Sequence, residues 1–227
     1  MSSQAPGGDM RRAVDLSHRS MIARRLRDAR IRTGMSARKL AIQLDCSPSL
    51  ISQIERGKAT PSVSRLYAIV TVLGISMDSL FPEPAEPRAA QAPAETEAAS
   101  GVVLRRGGRS AINLELGVRW ERLTPRLEPG IEFREVFYDV GGGSSRSERA
   151  IQHNGRDYAV IVEGELTAQI GFDRFVLRPG DSCAFDATIP HQFWNEGTQR
   201  VRAVFVLLDL ARTHGDRRGR TRGDGSG

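Results

Sequence analysis

Residues 47–62, SPSLISQIERGKATPS, decide the fold of the N-terminal part of this chain. The hydroxyl of Ser47 can cap a helix, and Pro48 follows at the first helical position, where a missing N–H costs least. Ile51 and Ile54 are three residues apart and share one face of that helix. The stretch therefore predicts a short helix that has one apolar face and ends at a glycine, Gly57.

A second helix, predicted over residues 37–44, precedes this one. Only Asp45, Cys46 and Ser47 join the two helices. Three residues are too few for an antiparallel hairpin but suit a crossed helix-turn-helix. Asp45 is expected at the left-handed position of the turn, which Asp tolerates at some cost.

Helical periodicity extends in both directions from this pair and predicts five short helices within residues 18–81. Serines stand before four helical patterns as N-caps, and glycines close helices one, three and four. These residues are Ser36, Ser47, Ser62, Ser76, Gly34, Gly57 and Gly74.

The composition divides the rest of the chain into four parts. Residues 1–17 are predicted to be a flexible N-terminal arm, and residues 82–100, rich in Pro, Ala and Glu, a flexible linker. Residues 101–210 alternate with a period of two, which predicts an all-β sandwich or small barrel. Residues 211–227 are predicted to be a basic disordered tail.

The positive charge is concentrated in the helical part. Residues 18–81 carry eleven Lys or Arg against four Asp or Glu, a balance of +7, whereas residues 101–209 carry fourteen against fifteen, a balance of −1. A polyanionic partner is therefore expected to bind the helical part, and double-stranded DNA is the partner that suits a helix-turn-helix.

Four polar residues remain on the outward side of the helix at 48–56 once its isoleucines are buried. Pro48, Ser49, Ser52 and Gln53 form a small uncharged surface that can read bases in the major groove. Gln53 is the strongest candidate, because its amide can bind adenine through two hydrogen bonds, whereas serines accept several bases.

Residues around this surface are predicted to hold phosphates and to supply salt-dependent affinity rather than sequence choice. They are Ser36, Arg38, Lys39, Ser47, Arg56 and Lys58.

The segment from Ser36 to Phe81 resembles the XRE family of lambda-repressor-like DNA-binding domains, with the Ser cap, paired isoleucines and Ile-Glu-Arg-Gly helix end in register. The resemblance implies a five-helix domain. It also implies a partly buried structural ion pair between Arg30 and Glu55. The alternative is that Arg30 faces solvent, which would leave a buried Glu55 unpaired at a high cost.

Residues 101–209 resemble the cupin domains, jelly-roll β-barrels, that follow such DNA-binding domains in a group of bacterial regulators. The second cupin motif is kept in PGDSCAFDATIPHQFWN (residues 179–195), whereas the first has Ile151 in place of its first histidine and Asp157 in place of its glutamate. His153, Asp157 and His191 form either a site for a divalent metal or a polar lining for an organic ligand.

We expect a sequence-specific transcriptional regulator that binds an operator as a homodimer and responds to a small-molecule effector in the cupin domain. No catalytic residue stands out, and no enzyme activity is expected. The alternatives are a cupin metalloenzyme with a DNA-binding domain, or the antitoxin of a toxin pair. The protein is expected to be cytoplasmic and free of membrane segments, because the sequence has no signal peptide and no long apolar run.

Overall fold

The computed structural model describes residues 7–82, 101–145 and 150–209, with the backbone alone over residues 7–19. An N-terminal helical domain (residues 7–82) precedes a C-terminal β domain (residues 101–209). The helices are α1 (Gly7–Arg32), α2 (Ala37–Gln43), α3 (Pro48–Glu55) and α4 (Val63–Leu73), followed by a 3₁₀ helix (Met77–Leu80).

The helical domain is built around the predicted turn between α2 and α3. Ser36 and Ser47 cap the two helices, because their hydroxyls accept hydrogen bonds from the backbone N–H groups of Lys39 at 3.0 Å and Leu50 at 3.2 Å. Asp45 has a φ of 48°, the left-handed conformation expected there. α2 packs against α3 and α4, and α1 packs against the same two helices.

Four of the five predicted helices are α-helices, whereas the fifth, after Ser76, is a single 3₁₀ turn. Ser76 caps it as predicted, and its hydroxyl accepts a hydrogen bond from the Ser79 N–H at 3.2 Å. Phe81 precedes Pro82, and a residue before proline avoids the helical conformation. The segment therefore has room for one tight turn only.

The predicted flexible arm also differs from the structure, because α1 begins at Gly7 and runs through residues 7–17. Residues 9–17 contain no proline and several good helix formers. A helix that is anchored at its C-terminal end gains one hydrogen bond for each residue added. Residues 1–6 of the arm, 83–100 of the linker and the tail lie outside the described residues.

The β domain contains two antiparallel sheets. Its strands are β1 (Ala111–Leu114), β2 (Val118–Arg122), β3 (Ile131–Tyr138), β4 (Arg156–Glu163), β5 (Leu166–Ile170), β6 (Asp173–Leu177), β7 (Ser182–Asp186), β8 (His191–Trp194) and β9 (Val201–Leu208). One sheet has the order β1-β2-β3-β9-β4-β7, and the other has the order β6-β5-β8. This is the double-sheet β architecture that the alternating pattern predicts.

The pleat of β4 and β9 decides which side chains face the interior. Asp157, Ala159 and Ile161 of β4 are buried, whereas the residues between them are exposed. Asp157 pairs with Leu207 of β9 and with Phe185 of β7, so the carboxylate lies between apolar neighbours inside the domain.

The two domains are in direct contact. The Ser64 N–H at the start of α4 donates to the Ser144 carbonyl at 3.0 Å, and the Glu115 N–H donates to the Pro61 carbonyl at 3.0 Å. Asp78 of the 3₁₀ helix lies 3.8 Å from the Arg122 guanidinium of β2, and both side chains are buried. These contacts hold the end of the helical domain directly against the β domain.

Within the part of the chain described above, no helix combines the length and the apolar character needed to cross a bilayer.

Candidate functional sites

The first candidate site is the outward side of α3, which we call the reading face: Pro48, Ser49, Ser52 and Gln53. Pro48, Ser49 and Gln53 are exposed and Ser52 is half-buried. The opposite side of α3 is fixed in the core, since Ile51 and Ile54 have exposures of 1% and 2%.

Exposed basic residues surround the reading face. Arg38 and Lys39 lie in the first turn of α2, and Arg56 and Lys58 follow the end of α3. The capping hydroxyls of Ser36 and Ser47 are also on exposed residues. Each accepts a backbone hydrogen bond and still has an O–H to donate to a phosphate.

The structure brings Arg30 and Glu55 together. Arg30 donates from Nε and Nη2 to the two carboxylate oxygens of Glu55 at 2.6 and 2.9 Å, and from Nη1 to the Met35 carbonyl at 2.7 Å. A bidentate pair of this geometry is strong and directional. It connects the end of α1 to the end of α3 and so holds the reading face in place.

The second candidate site lies inside the β domain, where His153, Asp157 and His191 converge. Their ligand atoms all lie within 4.8 Å of one another. The Nε2 atoms of His153 and His191 lie 3.4 and 3.6 Å from Oδ2 of Asp157, which is too long for good hydrogen bonds. Nε2 of His153 is buried and has no hydrogen-bond partner among the described residues.

Backbone carbonyls orient both imidazoles. Nδ1 of His191 lies 2.9 Å from the Ile189 carbonyl, and Nδ1 of His153 lies 3.2 Å from the Asn154 carbonyl. A proton on each Nδ1 leaves the Nε2 lone pairs directed toward Asp157. Burial lowers the pKa of His191, which favours the neutral form that can bind a cation. The donor set therefore fits a divalent metal, with two imidazole nitrogens and one carboxylate.

Ile151, which replaces the first histidine of the cupin motif, has become part of the sheet framework. Its side chain is 3% exposed, and its backbone exchanges hydrogen bonds of 2.8 and 3.0 Å with His191. This bridge fixes His191 in place, so Ile151 supports the cluster without contributing a ligand.

A third feature was missed by the sequence analysis, because Tyr67 comes from the other domain. Tyr67 lies on α4, and its ring stacks on the His153 ring with centroids 4.4 Å apart and an interplanar angle of 11°. Its hydroxyl accepts a hydrogen bond from Arg134 of β3, whose guanidinium lies 4.2 Å above the Trp120 ring. Burial raises the pKa of Tyr67 well above its usual value, so the phenol keeps its proton.

The only local signal for Tyr67 is its spacing. Val63 and Tyr67 are four residues apart and share a face of α4, one turn from each other. That spacing predicts an apolar face but cannot identify the cavity that the face covers.

Comparison with known families assigns a class to each domain. Residues 22–81 match a helix-turn-helix domain model, and residues 136–207 match a cupin domain model. The chain is a helix-turn-helix transcriptional regulator with a C-terminal cupin domain, as the sequence predicts.

Among known proteins, the chain is similar to the HTH-type transcriptional regulator PuuR of Escherichia coli. The two are 28% identical over 181 residues, which cover 80% of this chain and 91% of PuuR. PuuR of Shigella flexneri matches at the same identity and coverage.

Among solved structures, an HTH_3 family transcriptional regulator from Vibrio cholerae has the same fold. It has a TM-score of 0.60 and 19% identity, and the match covers 86% of this chain and 98% of that one. Hydroxypropylphosphonic acid epoxidase from S. wedmorenis, an enzyme, matches at a TM-score of only 0.40 and 21% identity, over 84% of this chain and 98% of that one.

Proposed function

We propose that this regulator binds a two-fold symmetric operator as a homodimer in the cytoplasm, and that its cupin domain senses a small molecule. The reading face carries the proposal. Pro48, Ser49 and Gln53 are exposed on a helix whose other side is buried and whose end is held by a bidentate ion pair. A rigid, polar and uncharged helix face with a basic surround fits the major groove.

An apolar face of the β domain supports the homodimer. The outer sides of β3, β9, β4 and β7 present a patch in register across the strands, which we call the outer apolar face. Its residues are Phe133, Tyr158, Val160, Ala184, Val204 and Val206. Apolar patches of this kind mark interaction sites. A second copy of the chain would duplicate the reading face across a two-fold axis and double the base contacts.

The cavity of the β domain supports sensing rather than catalysis. With the helical domain docked, the cavity around His153, Asp157 and His191 has a volume of about 20 Å³. This space holds one water molecule or one ion and no organic substrate. Entry of a larger ligand must therefore move the DNA-binding domain. A sensor requires this coupling between ligand binding and the DNA-binding domain.

A divalent metal fits the cluster. His153, Asp157 and His191 would hold it through two Nε2 atoms and one carboxylate oxygen. A bound ion would supply open coordination positions for an oxygen or nitrogen atom of an effector. The unpartnered Nε2 of His153 supports this assignment, because a buried acceptor without a partner is costly.

Selection of bound DNA from a random pool by the full-length protein tests the function. We expect enrichment of two inverted half-sites whose centres are about 34–36 Å apart, one turn of DNA. A variant without the reading face, Ser49→Glu with Gln53→Glu, is expected to enrich nothing, because carboxylates are repelled by phosphates. A pool with no enriched sequence for the unmodified protein would refute the proposal.

A further inference from the structure

The DNA-binding domain closes the cavity of the cupin domain. Val63 and Tyr67 of α4 both line this cavity, together with cupin residues, and their exposures are 2% and 6%. Tyr67 inserts a complete aromatic ring that stacks on His153 and lies edge-on to Trp120, with centroids 6.0 Å apart. An organic ligand cannot enter while this ring is in place, because about 20 Å³ remains.

Arg134 indicates what kind of ligand could replace Tyr67. The residue is 5% exposed, and within the described part of the chain its Nη1 has no hydrogen-bond partner. Nη2 donates to the Tyr67 hydroxyl and lies 2.8 Å from the Glu132 carboxylate. Withdrawal of Tyr67 would leave this buried guanidinium with a further N–H short of an acceptor, which is costly.

We propose that Tyr67 is a plug, and that the effector is an organic carboxylate which displaces it, binds Arg134 and releases α4 from the cupin domain. This proposal rests on the proposed function in cupin sensing. A carboxylate can accept two parallel hydrogen bonds from one guanidinium, whereas the phenol accepts one. The two nearby carboxylates do not compete for this position, since Glu132 already pairs with Arg134 and Asp157 faces the imidazoles.

The coupling to DNA binding follows from mutual exclusion. Tyr67 lies on α4, one turn after Ser64, whose amide binds the cupin domain. Other side chains of the same helix are buried in the core of the helical domain. Because Tyr67 is carried by α4, we infer that its ring leaves the cavity as α4 moves away from the cupin domain. The docked state and the ligand-bound state are therefore alternatives, and the ligand shifts their populations by its preference for the open one.

Benzoate is a suitable probe, because its ring has the shape of the Tyr67 side chain and its carboxylate replaces the hydroxyl. Binding of benzoate to full-length Tyr67→Ala, measured by calorimetry, is expected to be at least about tenfold tighter than to the unmodified protein, which must first undock. Arg134→Met in the Tyr67→Ala background is expected to abolish this gain. Benzylamine, of equal size and opposite charge, is expected not to bind.

Hydrogen exchange reports the docking itself. Among the described residues, the Ser64 and Glu115 amides make the two backbone hydrogen bonds between the domains. Benzoate is expected to accelerate exchange at both amides in the unmodified protein, but not at Val136 in the middle of β3. Tyr67→Phe keeps the ring, removes the acceptor of Arg134 and is expected to accelerate exchange at the same two amides without benzoate.

Two outcomes would overturn the assignment of Tyr67 as a plug. One is benzoate affinity that is equal, or absent, in Tyr67→Ala and the unmodified protein. The other is unchanged exchange in Tyr67→Phe, which tests the plug even if Tyr67→Ala fails to fold. Tighter binding of benzylamine than of benzoate would refute the carboxylate class. None of these results affects the selection of DNA, so failure of the plug and failure of the DNA-binding function are distinguishable.

Discussion

Individual side chains on α3 and just after it are expected to contribute to DNA binding in two different ways. The reading face can form hydrogen bonds with base edges, whereas Lys58 and Arg56 carry charges that phosphates attract. The two kinds of contact respond differently to substitution. A lost base contact changes the ranking of sequences, and a lost phosphate contact weakens all sequences together.

Gln53→Ala is expected to cost about 1–3 kcal/mol of discrimination at one base pair of each half-site, because alanine cannot form the paired hydrogen bonds to adenine. Measurement of affinity for the selected operator and for single-base variants of it tests this. An unchanged ranking of these variants would contradict the assignment of Gln53.

Lys58→Ala is the matched control for Gln53→Ala. It is expected to weaken all operators by the same factor and to reduce the slope of log affinity against log salt by about one. Lys58 is exposed and lies three residues past the end of α3, so its loss leaves the reading face unchanged.

Secondary-structure elements bring together residues that are far apart in the sequence. The turn before β4 supplies His153, β4 supplies Asp157, and the start of β8 supplies His191. The pairing of β4 with β7 and β9 buries the carboxylate, and the Ile151 bridge fixes the imidazole of β8. The cluster is thus a property of strand register, because a slip by one residue would turn Asp157 outward.

The cluster is expected to bind one divalent ion per chain, which titration with Co²⁺ and its visible absorption would detect. His191→Ala is expected to weaken Co²⁺ binding about 10–100-fold or more, since loss of an outer partner alone costs that much. His18→Ala, which removes a histidine from the helical domain, is the control. Equal Co²⁺ affinity in both variants would contradict the metal assignment.

The contact between the 3₁₀ helix and β2 is expected to make the stability depend on pH. Burial raises the pKa of Asp78 from 3.8 to about 6, although Arg122 opposes the rise. Because the pKa of Asp78 is higher in the folded than in the unfolded state, the protonated carboxyl contributes to stability. This contribution is fully present below the pKa of the unfolded state and is lost as the pH rises through about 6.

Asp78→Asn is expected to remove this dependence. The free energy of unfolding of the unmodified protein, minus that of the variant, is expected to fall by about 2 kcal/mol between about pH 4.5 and 7.5. Urea unfolding at several pH values measures the free energy of unfolding of the unmodified protein and of the variant. The comparison uses the change with pH, because the variant also deprives Arg122 of its counter-charge at every pH. A constant difference would show that the Asp78 carboxyl titrates normally.

The whole molecule joins three surfaces: the reading face, the junction of the two domains and the outer apolar face. The first two lie on the same small domain, so docking of α4 on the cupin domain constrains the position of α3. The third faces away from the cavity, because alternate residues of β4 point to opposite sides of the sheet. A dimer can therefore form through the outer apolar face while the cavity remains covered by α4.

Val160→Lys is expected to weaken the dimer at least about tenfold, because it places a charge in the middle of the outer apolar face. Light scattering during gel filtration over a range of concentrations measures the effect. Val176→Lys on β6 is the control, since Val176 is similarly exposed (44% against 39%) but lies in the other sheet. A dimer of equal strength in both variants would place the interface elsewhere.

The helix-turn-helix was predictable from the amino-acid order alone, since caps, glycines and apolar spacing act over a few residues and are all present in residues 36–62. The sequence also predicted the two-domain order and the three candidate metal ligands, because motifs carry their own spacing. The contact between the domains and the placement of Tyr67 in the cupin cavity became evident only in the folded molecule. Both features depend on contacts between residues that are up to about a hundred positions apart in the sequence. Local periodicity carries no information about such distant contacts.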